Sequence, residues 1–385
     1  MARSPASELE ALAAAGLHRQ LRQCERCDTG LRTKLGDRVV VNFSSNDYLG
    51  LASHPSITAA FSEAVNRWGA GSGASRLVCG TMAPHTALEE DLARFKGTES
   101  ALSFSSGYTA AVGTLSALLQ PGDIVILDKL CHASLIDGAR LSGAEIRVFP
   151  HNDLDQLEKR LAWASGKITA EGRILVVTES VFSMDGDRAP LAGIISAKQK
   201  YGALLLVDEA HAFGILGPGG RGLAAELGLS DHVDLQLGTL SKAVGLSGGF
   251  VAASGELCDL LVNRSRAFIY STAPAPALAE TARTSLSLLA GAEGDQLRSR
   301  LRKHLDSLSA APGGILESAI FPVILGSNER ALAAAAELLE EGFLVPAIRY
   351  PTVPRGSARL RVTLSAAHEA SDVTALAATL ASRSD

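Results

Sequence analysis

Aromatic residues are scarce in this chain of 385 residues, at 5%, and cysteine is scarcer still, with five in all. Without a basic stripe interleaved with aromatics there is no stacking platform for nucleic acid, and no such partner is expected. An odd cysteine count in so long a chain argues against a disulfide framework and for reduced thiols. Cys24 and Cys27 form a lone C-x-x-C without a second pair or suitably spaced histidines, so neither zinc nor redox chemistry is assigned and no metal is expected. Positive charge is not in excess. The chain carries 36 Lys and Arg against 41 Asp and Glu, net −5, which fits a globular enzyme. Long hydrophobic runs are missing too: none approaches membrane-spanning length, and Glu8 and Glu10 interrupt the start where a signal peptide needs an apolar core. The expectation is a cytoplasmic protein with no membrane partner.

What is present is alternation. From about residue 100, short runs (ALSF, IVILD, IRVF, ILVVTES, ALLLVDEA, VDLQLG, GGFVAAS) alternate with helical patterns such as NDLDQLEKRLAWA. This predicts an α/β fold, a mostly parallel sheet with helices on both faces. The runs lack period-2 polarity, as doubly buried strands do. Ser7 and Glu10 resemble a capping box, so a helix is expected ahead of the main domain, where Arg19 and Arg22 have something to face. Pro274 and Pro276 interrupt the chain before a further helix, AIFPVILG, ALAAAAELLEEG and FLVPAIRY. The expected division is an N-terminal helical segment over 1–45, a large domain over 46–276 and a smaller C-terminal α+β domain over 277–385.

In parallel sheets ligands bind beyond the carboxyl ends of the strands, so the polar residues after each run are the ones to collect. After ALSF, Ser106 and Gly107 open a helix whose N–H groups and dipole suit a phosphate. After the later runs come His132, Glu179 with Ser183, Asp208 with His211, and Thr239 with Ser241 and Lys242. Singly, each has an ordinary structural reading. Lys242 could snorkel, Asp208 could cap a helix, and His132 could satisfy a turn. Together, a lysine able to form a Schiff base, a carboxylate able to keep a pyridine nitrogen protonated and a phosphate-type helix start suggest pyridoxal 5'-phosphate. His211 is placed to hydrogen-bond the ring hydroxyl, and His132 is a candidate to stack on the ring. A competing motif, Gly245 to Gly249, fits the G-x-S-x-G nucleophile elbow of α/β-hydrolases with Ser247 as nucleophile and His304 or His368 as partner. That elbow needs a helix after the serine, whereas GGFVAAS reads as a strand.

NFSSNDYLGL at 42–51, GSGASRLVCGT at 71–81, CHASL at 131–135, ESVFSMDGD at 179–187, VDEAHAFGILG at 207–217, TLSKAVG at 239–245 and AIRYPTVPRGSARLRVTLSAAHE at 347–369 carry a resemblance over nearly the whole chain. On these the chain resembles the α-oxoamine synthases, fold-type I pyridoxal-phosphate transferases that join an amino acid to an acyl thioester with loss of carbon dioxide. NFSSNDYLGL and AIRYPTVP look most like the biotin-biosynthetic branch, which implies L-alanine and pimeloyl-CoA, or a pimeloyl-carrier protein, as substrates. Sister branches use glycine or serine with other acyl groups. The resemblance implies that Lys242 forms the Schiff base, Asp208 faces the pyridinium, His211 the ring oxygen and His132 the ring face. Gly107, Tyr108, Ser183 and Thr239 complete the cofactor site, and Asn46 lies near it. Arg361 takes the amino-acid carboxylate, and Arg22 and Thr352 match substrate positions. It also implies a homodimer. Two departures, Tyr350 for a frequent proline and Arg76 where some members have glycine, bear on acyl specificity.

Overall fold

The seven apolar runs become seven strands of one sheet: β1 (Ser100–Phe104), β2 (Ile124–Asp128), β3 (Glu145–Phe149), β4 (Ile174–Glu179), β5 (Leu204–Asp208), β6 (Leu235–Thr239) and β7 (Gly249–Ala253). Their order across the sheet is β1-β7-β6-β5-β4-β2-β3. β7 runs antiparallel to both β1 and β6; every other neighbouring pair is parallel. The missing period-2 polarity has a direct cause. Val125, Leu127, Leu175 and Val177 pack on one face with the helices Gly107–Leu118, Ala133–Ser142 and Gly255–Arg264. Ile124, Ile126, Val176, Leu205 and Val207 pack on the other with Leu154–Lys167 and Leu191–Lys200. Both faces are dry over the central strands, so both alternating positions there are apolar, whereas the edge strand β3 leaves Val148 exposed.

The computed structural model describes residues 4–27, 31–309 and 316–382, and it divides into two units. The sheet unit comprises Leu51–Ser183 and Asp187–Ser299; the other comprises residues up to Gly50, Met184–Gly186 and those from Arg300 onward. In the latter a four-stranded sheet joins Glu25–Arg26, Arg32–Leu35, Arg38–Asn42 and Phe343–Leu344, and a three-stranded sheet has Ala358–Thr363 between Ile320–Gly326 and Ala347–Ile348.

The expected boundaries need correcting. The second falls after Ser299 rather than at 276, because helix Pro276–Ala290, with Ala279, Ala282, Leu286 and Leu289 buried, packs on Pro55–Trp68 and Ala83–Lys96. Proline there occupies the first helical turn, where its missing N–H costs nothing, and marks no domain border. The first boundary follows Gly50, and 1–45 is not a helical segment: among its described residues only Pro5–Ala14 is helical, and strands follow it. That helix is capped by Ser4, whose Oγ accepts the Ser7 N–H at 3.2 Å, so Ser7 is not the cap. Among the described residues no helix is long and apolar enough to cross a membrane.

Arg76 explains itself within the sheet unit. Its guanidinium meets the Glu89 carboxylate through two parallel bonds of 2.7 and 2.9 Å, and Glu89 also accepts the Ser103 N–H and hydroxyl. The two side chains are 6% and 14% exposed. Glu89→Gln leaves a charged guanidinium buried against a neutral amide, so unfolding in denaturant is expected to show a loss of about 3–5 kcal/mol. A loss below about 1 kcal/mol, the value of a surface pair, would show that water reaches the site.

Candidate active site

The parallel register sets Glu179 opposite Asp208, and Asp208 opposite Leu237, at the carboxyl edge of the sheet. Beyond these strand ends lies a cavity of about 220 Å³, lined by Ser106, Gly107, Tyr108, His132, Ser134, Glu179, Asp208, Ala210, His211, Leu237, Thr239, Ser241 and Lys242. Eight of the nine expected cofactor residues therefore converge on one space. The ninth, Ser183, is buried behind it, where its N–H bonds the Glu179 carboxylate.

Each side chain is placed by local chain chemistry. Ser106 has extended backbone and caps helix Gly107–Leu118, its Oγ accepting the Thr109 N–H while Thr109 Oγ1 accepts the Ser106 N–H. Gly107 approaches β6 so closely that a Cβ there would lie 3.2 Å from Thr239 Cβ. Thr239 Oγ1 is held by the Gly248 carbonyl at 2.8 Å and by Ser241 Oγ at 2.7 Å. Lys242, half-buried, stands on the turn between β6 and β7, which is closed by Leu240 N–H to Gly248 O and Gly245 N–H to Lys242 O. That turn needs Gly245, whose φ is +77° and whose Cβ would fall 2.4 Å from the Ala52 nitrogen. Lys242 Nζ lies 2.7 Å from His211 Nε2. Asp208 Oδ1 accepts the Ala210 N–H at 2.9 Å, which fixes the turn that delivers His211. His132, exposed at the mouth, is anchored through its N–H to Glu179 Oε1 at 2.6 Å and through Nδ1 to Ser134 Oγ at 2.8 Å. The Tyr108 hydroxyl donates to Asp137 at 2.8 Å.

The electrostatics are those of two carboxylates in a dry place. Burial, together with the neighbouring Asp208 charge, pushes Glu179 up to about 8, against the pull of Lys242 and the amides of His132 and Ser183. Burial raises Asp208 as well, opposed by Lys242, the Ala210 amide and His132. A cation set against this pair would relieve both. A protonated pyridine nitrogen, with its phosphate at the Gly107 helix start, is a group this donor set fits.

The remaining expected residues lie in the other unit. Arg361 Nη1 donates to Asn46 Oδ1 at 3.1 Å and to Thr363 Oγ1 at 2.9 Å. Tyr48 donates to the same Asn46 oxygen at 3.3 Å, its phenol pushed up to about 12 by burial, against the pull of Arg361. Thr352 accepts from Arg19 at 3.4 Å, and Arg22 is exposed. Ser247 is exposed and leads straight into β7, not into a helix, so the hydrolase elbow is absent. His304 and His368 bond backbone groups within the other unit, burial lowering His368 to about 4.

Residues 38–380 match the family described as aminotransferase class I and II. The chain belongs to that family. The 8-amino-7-oxononanoate synthase of Geobacter sulfurreducens is 49% identical, the alignment covering 99% of this chain and 98% of the relative. That of Herminiimonas arsenicoxydans is 48% identical over 97% of each. Among solved structures, a serine palmitoyltransferase from S. paucimobilis with bound PLP–myriocin aldimine has a TM-score of 0.90 at 33% identity, covering 98% of this chain and 96% of that one. An 8-amino-7-oxononanoate synthase from Francisella tularensis has a TM-score of 0.75 at 27% identity, covering 89% and 97%. The family uses pyridoxal phosphate.

A carboxyl raised on folding weakens the fold as pH climbs from its ordinary 4.5 to about 8, the penalty being complete above that. The cofactor-free protein is therefore expected to lose stability between pH 5 and 9 in thermal unfolding. Glu179→Gln keeps the acceptor for His132 and removes the charge, so it should be the more stable form at pH 9, by on the order of 3 kcal/mol, and equal to wild type at pH 5. Parallel curves for the two proteins would mean that Glu179 is solvated.

Proposed function

We propose that this chain acts as an 8-amino-7-oxononanoate synthase, joining L-alanine to a pimeloyl thioester with loss of carbon dioxide and of the thiol. The observation that carries this reading is near-full-length identity of 43–49% to curated relatives of that name, on a site with the expected lysine, aspartate and histidines. Serine palmitoyltransferases superpose at least as well, but shape is common to the family, whereas sequence identity favours the biotin branch. On the same reading the protein works in the cytoplasm as a homodimer. Exposed Leu77, Val78 and Tyr270, on segments joined by the Ser75–Thr272 bridge, supply apolar surface for a second copy.

Ser106 and Gly107 would hold the cofactor phosphate, Asp208 the ring nitrogen, His211 the ring oxygen and His132 the ring face, with Ser183 and Thr239 supporting them. When bound, pyridoxal phosphate supplies an aldehyde for the amino group and a ring that holds an electron pair. Lys242 Nζ takes the proton from the alanine Cα and later returns one; His211, 2.7 Å away, keeps it oriented. Asp208, buried and braced by the Ala210 amide, keeps a proton on the group it faces. Arg361 holds the amino-acid carboxylate, with Asn46 and Thr363 orienting its guanidinium. Thr352 and Arg22 serve the acyl substrate.

Borohydride reduction of the protein with bound cofactor, followed by peptide mapping, is expected to label Lys242, and Lys242→Ala to abolish turnover. Label on another lysine overturns the assignment. Asp208→Asn should slow exchange of the alanine Cα proton in deuterated water by several orders of magnitude, the scale seen when a buried orienting charge is removed elsewhere. In a panel of amino acids and acyl thioesters, alanine with the pimeloyl thioester should be turned over best. Equal use of an uncharged acyl chain of the same length would move the protein to another branch.

A further inference from the structure

We propose that His151 is a positioning residue for the cofactor site: held as a cation between Asp128 and Asp187, it ties the turn that carries His132 to the turn that carries Ser183. The proposal rests on the pyridoxal-phosphate reading of the cavity and concerns three residues to which that reading gives no task.

Three turns follow β2, β3 and β4 at the carboxyl edge, and each contributes one member. Asp128 ends β2, four residues before His132, and is fully buried. Its Oδ1 accepts the Leu130 N–H at 2.8 Å and faces His151 Nδ1 at 3.0 Å, while Oδ2 accepts the Asn152 N–H at 2.9 Å. His151 Nε2 lies 2.7 Å from Asp187 Oδ2. Asp187 in turn closes the hairpin around Ser183, its carbonyl accepting the Phe182 N–H at 3.0 Å beside the Val181–Arg188 bridge. Asn152 donates to Asp187 at 3.0 Å and to the Arg188 carbonyl at 3.2 Å. Among the described residues Asn152 is the one non-glycine with positive φ, 57°, so the chain bends into a costly conformation where the clamp forms. The Phe182 ring meets His151 edge-on, with centroids 4.3 Å apart.

Each ring nitrogen faces a carboxylate oxygen, an arrangement satisfied by an imidazolium that donates from both; Asn152 Nδ2 also lies 3.3 Å from Nε2. Burial opposes that charge, but the bonds to Asp128 and Asp187 lift the ring to about 10. The neighbouring Arg188 bonds Glu226 at 2.6 Å. The clamp reaches the cavity through two short links. The His132 N–H binds Glu179, and the Ser183 N–H binds the same carboxylate, so both turns converge on one buried acceptor.

The test is His151→Gln in the full-length protein, read by titration with pyridoxal phosphate, the visible spectrum of the bound cofactor and thermal unfolding. The control is Leu161→Ala, which opens a cavity in the core on helix Leu154–Lys167 while leaving every polar group of the clamp in place. The expected result is a cofactor dissociation constant raised about tenfold, equivalent to ~1.4 kcal/mol, with a shifted visible band in His151→Gln. Adding Asp187→Asn should raise it no further, because both changes break one unit. Leu161→Ala should lose stability yet bind as wild type does. If His151→Gln does not fold, Asp187→Asn, which spares the Asp128 contact, carries the same expectation at about threefold. Binding and spectra in the clamp variants that match Leu161→Ala would reduce the clamp to a structural clasp and overturn the proposal. None of these readouts needs an acyl substrate. A wild-type protein that took up no pyridoxal phosphate would instead overturn the reading of the site itself.

Discussion

Glu179 and Asp208 end adjacent parallel strands in register, both buried, and the rest of the site answers to that pairing. Two carboxylates this close in a dry place cannot both be charged without compensation. The chain supplies part of it with the amides of Ala210, His132 and Ser183, and with Lys242. What the geometry favours beyond that is a cationic partner, which is the property a ring-nitrogen proton contributes. Neutral ligands of similar size relieve nothing there.

Holding a lysine in such a place is a backbone problem before it is an electrostatic one. The turn from β6 to β7 reverses direction within nine residues and brings β7 back antiparallel, so Lys242 projects from a loop with both ends fixed in the sheet. Gly245 is required twice over, by its positive φ and by the backbone of Leu51 and Ala52 against it. Thr239 serves two neighbours at once, bracing the turn through Gly248 and packing against Gly107. A substitution at any of these positions moves the lysine without touching it.

The strands and their polar terminators were legible because doubly buried strands leave no polar residue until the chain exits the sheet; Asp208, His211, Thr239 and Lys242 stand out against ALLLV and VDLQLG for that reason. His151 and Asp187 were not. H-N-D after a strand reads as a helix start, and Asp153 does cap Leu154–Lys167, so the histidine beside it looked incidental. A signal was present in Asp128, a charged residue closing an otherwise apolar run, which had no partner until the fold supplied one. The bond from Arg361 to Asn46 spans 315 positions and is beyond any spacing argument; only the resemblance to the α-oxoamine synthases relates the two residues. The domain border failed for a simpler reason, since proline begins helices as readily as it ends domains.

Glu179 and His151 both have raised pKa values, yet they act on the fold in opposite senses. Raising Glu179 to about 8 means a neutral carboxyl is tolerated where a charged one is not, and the penalty grows as pH rises from 4.5 to that value and is complete above it. Raising His151 to about 10 means a stabilising cation, fully effective below pH 6.5 and lost as pH climbs to 10. In both cases the folded chain binds more protons than the unfolded one, so stability falls with pH on both counts. A cation bound beside Glu179 and Asp208 lowers the carboxyl pKa values and removes the first slope. It leaves the second intact, because His151 answers to Asp128 and Asp187. The cofactor and the clamp thus act over different but overlapping pH windows, and a holoenzyme whose stability is level up to about pH 6.5 and falls from there towards 10 is the behaviour this arrangement dictates.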